Sequence, residues 1–291
     1  MRKAERFEAL QDFAAVGKLY RAHLMDPNWR RYPDRDTCPW DGIALFLWSY
    51  AFERQGRRPD YSPVAADVVK ELKREGLRID QPEAATEAWD RFKKRLEGNR
   101  LNIANNPMAP KGTEYERKDR EGKSTKHITT SPSAIEVASQ LGRSIVTYVR
   151  DLLRADQVRR AHDLVAGTNG VGDKIASLLL RDIASYYDLN VATDRHLLQP
   201  VDTWIRRATE LCLNVESPPE AVARAIVEAC QSCNVNPEHV NDGMWYFGAM
   251  VAQSAYRLRQ AVDDTARFRS MTEEYVSALR DVVAVYGQMA P

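Results

Sequence analysis

Apolar residues recur at helical spacing through most of the chain. In the N-terminal segment, Phe7, Leu10, Ala14 and Leu19 fall near one face of a helix. No segment alternates clearly between apolar and polar residues, as a half-buried strand does. The predicted helices cover residues 5–24, 40–54, 62–74, 82–96, 133–153, 156–166, 173–187, 201–213, 219–230, 237–259 and 272–288. The pattern therefore predicts an all-α fold.

A polar stretch interrupts this pattern at residues 99–132. Between residues 91 and 126 there are 11 Lys and Arg against 5 Asp and Glu, a local charge of +6 in a chain of +1. The stretch is either a solvated loop or hairpin, which is the usual role of such segments, or an element that faces phosphates. We expect two helical subdomains divided near it. The predicted regions are 1–98 (N-terminal helices), 99–132 (basic insert), 133–213 (helical hairpin and catalytic region) and 214–291 (C-terminal helices).

The composition describes a globular chain. Its 291 residues are 44% hydrophobic and 29% charged, which excludes a disordered or collagen-like protein. A net charge of +1 also excludes a polycation that coats nucleic acid, so an anionic partner must meet a local patch. No window approaches the roughly 18 apolar residues of a membrane span, and the N-terminus lacks a signal-peptide core. We expect a cytoplasmic monomer without a membrane partner, associated with the nucleoid if the source is prokaryotic.

The four cysteines predict neither a disulfide framework nor a metal site. Cys38, Cys212, Cys230 and Cys233 are too few for a disulfide scaffold. Cys230 and Cys233 have a metal-like spacing, but a nearby fourth ligand for zinc or an iron–sulfur cluster is missing. We therefore expect structural cysteines, no metal and no required cofactor.

The most informative segment joins two predicted helices through the turn TNGVG, residues 168–172. Two glycines around one valine fit a tight hairpin whose backbone another molecule can approach closely. The free N–H groups at the start of the second helix, together with the helix dipole, favour an anion such as phosphate. An ordinary αα-hairpin with a glycine cap is the alternative.

Residues 169–176 (NGVGDKIA) resemble the helix-hairpin-helix of the DNA glycosylase superfamily, and residues 200–207 (PVDTWIRR) resemble its aspartate motif. The pattern is similar to endonuclease III and the 8-oxoguanine glycosylases. The resemblance implies two helical subdomains with a cleft between them, double-stranded DNA as the partner, and a monovalent cation at the hairpin. It also implies that the DNA-binding residues are Asn169, Gly170, Val171 and Gly172.

The chain departs from the family pattern in four places. Thr168 and Asn169 replace a leucine-proline pair, and Trp204 stands where the family usually has histidine. Lys174 and Asp202 are 28 positions apart, so residues 188–199 must partly loop out. The cysteine quartet of the endonuclease III branch is absent, which indicates the branches without an iron–sulfur cluster.

Lys174 is the predicted nucleophile. A lysine attacks C1′ of a deoxyribose only as a neutral amine, and it then forms a Schiff base with the opened sugar. We expect Lys174 two positions into a helix, where the positive end of the dipole favours the neutral amine and partial burial would add to that effect. A lysine that pairs with phosphate is the alternative.

Asp202 is the predicted catalytic carboxylate. It starts a helix, where aspartate is a good N-cap, and its carboxylate is suited to stabilise an oxocarbenium-like sugar. Asp194 is a competitor, because His196 follows it as the histidine follows the family's aspartate. We prefer Asp202 because Val201 precedes it and a family-like helix continues after it.

The base pocket is assigned to C-terminal residues. A glycosylase must hold an extruded base against aromatic side chains, and the resemblance places Asp242, Trp245 and Phe247 there. The alternative is that two of the three aromatics in residues 245–247 belong to the core.

The sequence therefore predicts a DNA glycosylase with AP-lyase activity that acts in base excision. Its substrate is an oxidised purine or a modified pyrimidine, including one from foreign DNA. The alternatives are a monofunctional glycosylase, a non-enzymatic DNA-binding hairpin and a helical scaffold protein.

Overall fold

The computed structural model describes residues 3–52, 61–96, 105–118, 122–215 and 218–289, and these are mostly helical. The helices are α1 Lys3–Tyr20, α2 Asp26–Arg30, α3 Pro39–Phe46, α4 Tyr61–Arg74, α5 Ala84–Arg95, α6 Ala134–Leu141, α7 Ile145–Arg154, α8 Val158–Ala166, α9 Asp173–Tyr186, α10 Thr203–Leu213, α11 Pro219–Cys233, α12 Pro237–Tyr246, α13 Ala255–Asp263 and α14 Thr265–Met289. The π-helical segments Arg21–Met25, Leu47–Ala51 and Phe247–Ala252 continue α1, α3 and α12. The all-α prediction is confirmed.

The chain divides into two compact units. Unit 1 consists of Met1–Asp26 and Leu198–Pro291, and unit 2 of Pro27–Leu197. The division therefore differs from the expected one near residues 99–132, a range that lies inside unit 2. Because α1 packs against α12, the N-terminal helix belongs with the C-terminal helices.

Unit 1 is held together by a close approach of α1 and α12. A Cβ added at Gly243 would overlap the carbonyl oxygen of Phe13, and one at Gly17 would overlap the carbonyl oxygen of His239. The rings of Phe13 and Phe268 lie edge to face at 5.1 Å beside this crossing. Two glycines thus let the helix backbones touch where any side chain would separate them.

Unit 2 is organised around α9. Arg181 and Asp182, both buried, form a 2.9 Å ion pair within this helix. The Tyr50 hydroxyl donates to Asp182 at 3.0 Å, and the Trp29 indole donates to Tyr50 at 2.8 Å. Buried charges that are paired and hydrogen-bonded fix one arrangement of their neighbours. The buried part of α9 is therefore held in place while its N-terminal turn, with Asp173 and Lys174, is exposed.

The insert contains an antiparallel hairpin of β1 (Glu114–Lys118) and β2 (Ser124–Ile128). The insert was expected to be a loop or a hairpin if it is solvated, and a hairpin is present. Every side chain of β2 is exposed, so neither face carries the apolar residues that would produce an alternating pattern. This is why the sequence pattern gave no sign of strands.

Much of the predicted local charge of +6 is neutralised by acidic residues just outside the counted range. The ion pairs are Arg91 with Glu75 and Glu87, Lys93 with Asp90, and Arg95 with Glu71. The basic end of α5 thus faces acids of α4 and of α5 itself. Further along, Arg117 and Lys126 of the hairpin are exposed.

Candidate nucleic-acid interface at the glycine turn

Helices α8 and α9 form the predicted helical hairpin in unit 2. The turn between them needs a glycine at Gly170, where φ is +72°. Val171 is buried and its N–H donates to the Thr168 carbonyl at 3.0 Å, so the valine packs back into the helix pair. The turn is therefore compact, and its glycines have separate roles.

Asn169 anchors the insert to this turn. Its side-chain amide donates to the carbonyl of Asn106 at 3.0 Å and to that of Ala109 at 3.4 Å. Its backbone N–H donates to the Pro132 carbonyl at 2.7 Å, and the residue is buried. Asn169 therefore donates its hydrogen bonds to carbonyl groups within the protein, whereas the resemblance implied that it faces DNA. The sequence could not show this, because the acceptors lie about 60 positions away.

The two glycines of the turn differ in their surroundings. A Cβ at Gly170 would overlap the carbonyl oxygen of Asn105, which belongs to the insert. A Cβ at Gly172 would have nothing within 4 Å. Of the four residues predicted to bind DNA, Asn169 and Val171 are buried, Gly170 is half-buried and Gly172 is exposed.

The N-terminus of α9 is uncapped. Gly172 is the N-cap and has no side chain to accept a hydrogen bond from the first turn. The N–H groups of Asp173 and Lys174 find no acceptor within the described ranges. Free donors at the positive end of a helix dipole favour an anion. The Lys174 side chain is exposed, so burial does not add to the effect of the helix dipole on its amine.

Asp202 caps α10 with one oxygen only. Its Oδ1 accepts from the N–H groups of Trp204 at 2.8 Å and Ile205 at 3.0 Å. Its Oδ2 has no hydrogen-bond donor among the residues that the structure describes. The carboxylate, half-buried in unit 1, thus caps the helix and keeps one oxygen available.

Asp194 has no such freedom. Its two oxygens accept from the Arg159 guanidinium at 2.9 Å and 3.2 Å. A bidentate arginine pair fixes a carboxylate and neutralises its charge. Both oxygens of Asp194 are thus engaged, whereas Asp202 uses one oxygen for its helix cap.

The loop before α10 is tied to the start of α8. The Asp156 carboxylate accepts from the N–H groups of Thr193 at 3.1 Å and Ala192 at 3.0 Å. The hydrogen bonds from Thr193, with a further one from Ala192, hold the pKa of Asp156 below its ordinary value. This loop and the 3-10 turn Arg195–Leu198 take up part of the long spacing between Lys174 and Asp202.

The proposed base-pocket residues lie in unit 1 and differ in exposure. Phe247 is fully buried and stacks on Phe268 at 4.0 Å, so the structure places it in the core. Asp242 is buried as well. Trp245 is half-buried, with its ring at 5.8 Å from that of Tyr20. Of the three aromatics at residues 245–247, Trp245 is therefore the one that reaches the surface, since Tyr246 is buried as well.

Trp204, which stands where the resembled motif usually has histidine, packs against a glycine of unit 1. A Cβ at Gly248 would lie 2.8 Å from the Trp204 ring. The Arg207 guanidinium lies 5.3 Å from the ring centroid. The indole thus rests on a glycine of the π-helical segment, and the glycine inside an otherwise helical pattern was the available signal.

Within the described ranges, no group of three or more His, Cys, Asp or Glu is placed to hold a metal ion. Cys212 and Cys230 are buried, and none of the four cysteines forms a disulfide within the described ranges. No helix in these ranges combines the length and apolarity needed to cross a bilayer.

Comparison with known proteins gives one partial similarity. No family model matches the chain, and no solved structure matches it. A stretch of 74 residues, 25% of the chain, is 38% identical to an uncharacterized protein of Methanocaldococcus jannaschii. The matched part covers 17% of that protein's length. Since that protein is itself uncharacterized, the similarity assigns no activity.

The two turn glycines give a paired prediction. We expect Gly170→Ala to lower the free energy of unfolding by about 2 kcal/mol, through its positive φ and the overlap with Asn105. We expect Gly172→Ala to change stability by less than about 0.5 kcal/mol, because its methyl group enters open space. Urea unfolding of both variants checks this, and equal losses would contradict the distinction.

Proposed function

We propose that the chain is a DNA glycosylase with associated AP-lyase activity, with Lys174 as nucleophile and Asp202 as the supporting carboxylate. The observation that carries the proposal is the uncapped N-terminus of α9, which presents free N–H donors beside an exposed primary amine. Such a terminus suits a DNA phosphate, and the amine suits attack on the adjacent sugar. Duplex DNA is accordingly the proposed partner.

The chemistry assigns a separate task to each residue. The neutral Lys174 Nζ forms a bond to C1′ while the glycosidic C–N bond breaks, and the base leaves with the electron pair and takes up a proton. The C1′–O4′ bond then breaks, O4′ takes up one of the amine protons, and a protonated Schiff base results. Removal of a C2′ proton then expels the 3′ phosphate by β-elimination. Asp202, with Oδ2 available, would stabilise positive charge on the sugar.

Borohydride trapping tests the proposal. The wild-type protein is mixed with duplexes that each carry one oxidised purine, oxidised pyrimidine, methylated pyrimidine or abasic site, and borohydride is added. We expect a covalent protein–DNA adduct on at least the abasic duplex and one modified duplex. Absence of an adduct on every duplex would refute the lyase activity.

Asp202→Asn separates catalysis from capping. Asparagine is as good an N-cap as aspartate, so we expect the free energy of unfolding to stay within about 0.5 kcal/mol of wild type. We expect base release to fall about 100- to 1000-fold, since the electrostatic stabilisation of the sugar is lost. Alkali-induced strand cleavage measures base release. An Asp202→Asn variant with full activity would remove Asp202 from the mechanism.

A non-enzymatic DNA-binding hairpin is the second candidate, and the exposure of Lys174 favours it because solvated lysines commonly pair with phosphate. This candidate predicts salt-dependent binding without an adduct. A monofunctional glycosylase predicts instead that Lys174→Gln keeps base release while Asp202→Asn loses it.

A further inference from the structure

The β1–β2 hairpin carries no core-facing side. All side chains of β2 are exposed, and on β1 Glu116 and Arg117 are exposed as well. At its base, the Gly112 N–H donates to the Thr129 carbonyl at 2.9 Å, and the Thr113 N–H donates to the Thr129 hydroxyl at 3.0 Å. An isolated two-stranded ribbon is only marginally stable in water. Because these side chains are exposed, they are available to contact a partner.

The two faces of this ribbon differ in charge. Successive strand residues point to opposite sides, so the register pairs Tyr115 with His127 and Arg117 with Thr125 share one side. We call these four residues the hairpin face. The opposite side holds the pairs Glu114 with Ile128 and Glu116 with Lys126. Both glutamates of the strands therefore lie away from the hairpin face.

The hairpin face combines stacked rings with an exposed arginine. The rings of Tyr115 and His127 stack at 5.6 Å with an interplanar angle of 22°. The Thr125 hydroxyl lies 2.9 Å from His127 Nε2. Arg117 forms no ion pair with an acidic residue in the part of the chain that the structure describes. Arginine, aromatic and hydroxyl groups without a carboxylate are the groups that contact phosphate and sugar.

The hairpin face is fixed to the same loop as the glycine turn. Asn169 holds the carbonyls of Asn106 and Ala109, a few residues before β1 begins. The Asn105 backbone lies against Gly170. The ribbon and the N-terminus of α9 thus belong to one hydrogen-bonded assembly within unit 2. A two-stranded ribbon is also narrow enough to enter the major groove of B-DNA.

We propose that the hairpin face is a second contact surface for duplex DNA, with Arg117 on a backbone phosphate. It rests on the proposed function only in taking DNA as the partner. Charge complementarity carries the assignment, since among the described residues one side of the ribbon has no carboxylate and its guanidinium forms no ion pair. In this proposal the insert enlarges the DNA contact that the turn between α8 and α9 would make alone.

Binding to an undamaged duplex at several salt concentrations tests this assignment. Arg117→Ala removes a cation from the hairpin face, and Lys126→Ala removes one from the opposite side. Loss of one phosphate contact lowers the magnitude of the salt slope by about 0.9, which corresponds to about eightfold weaker binding at 0.1 M salt. We expect this change for Arg117→Ala, recovery in Arg117→Lys, and less than a twofold change for Lys126→Ala.

Fluorescence anisotropy gives the affinities, and urea midpoints confirm that both exposed sites leave the fold intact. Equal effects of Arg117→Ala and Lys126→Ala, or no effect of either, would overturn the hairpin face. This assay involves no chemistry, so its outcome is separate from borohydride trapping. An Arg117 effect without any adduct would leave the hairpin face standing and refute the lyase activity. An adduct together with equal effects of Arg117→Ala and Lys126→Ala would support the lyase activity and overturn the hairpin face.

Discussion

Lys174→Gln is expected to abolish the borohydride-trapped adduct while leaving the fold intact. A Schiff base requires a primary amine, and the glutamine amide is not nucleophilic, so we expect less than about a thousandth of the wild-type yield. The side chain is exposed and makes no hydrogen bond or ion pair within the described ranges. Its removal should therefore change the free energy of unfolding by less than about 0.5 kcal/mol.

The matched control for this experiment is Lys126→Gln, which also replaces an exposed lysine of unit 2. Lys174→Gln is expected to weaken DNA binding by no more than about eightfold, the effect of one phosphate contact at 0.1 M salt. Trapping is therefore compared at protein concentrations that saturate the duplex and read on denaturing gels. An adduct yield of Lys174→Gln equal to that of wild type would show that another amine is the nucleophile and would refute the assignment.

The helical content was predictable because it depends on local signals. Helical spacing, with Pro219 and Pro237 at first-turn positions, located α11 and α12. The breaks inside two long predicted helices were missed. Residues 133–153 divide at Gly142, whose φ is +62°, and Ser144 caps α7 with its hydroxyl. Ser254 in the same way caps α13 after α12 and its π-helical extension have ended. Serine and glycine signals of this kind are weaker than a continuous apolar stripe.

The candidate site was predictable only where it is local. The Gly170 turn and the Asp202 cap follow from residue types and short spacings. The bond from Asn169 to Asn106 and the pairing of Asp194 with Arg159 depend on tertiary contacts, which a single sequence does not specify. The local charge of +6 also depends on tertiary contacts, because a count over residues 91–126 leaves out the acidic residue of α4 that pairs with α5.

The division into units was missed for a related reason. Glycine at two positions signals that a backbone approaches closely, but it does not name the partner. In the structure, Gly17 and Gly243 meet each other's helices across more than two hundred positions. A small-residue pair at the crossing, and not the polar stretch, thus decides which helices fold together.

Gly243→Ala is expected to be the most destabilising single substitution considered for unit 1. Its Cβ would overlap the carbonyl oxygen of Phe13, and a backbone atom in a helix cannot rotate away as a side chain can. Helices α1 and α12 would have to separate, which also disturbs the packing of Phe13 against Phe268. Overpacking of this kind exceeds the gain of up to about 1 kcal/mol that alanine brings to a helix, and we expect a net loss of about 3 kcal/mol.

Thermal and urea unfolding of Gly243→Ala measure this loss, and Gly172→Ala is the matched glycine-to-alanine control with an unobstructed methyl group. The variant should also reveal how folding and chemistry are linked. Lys174 and the hairpin face belong to unit 2, whereas Asp202 belongs to unit 1. If unit 1 unfolds first, DNA binding by unit 2 should persist at temperatures where base release has stopped. Simultaneous loss of both at one temperature would show that the two units unfold together.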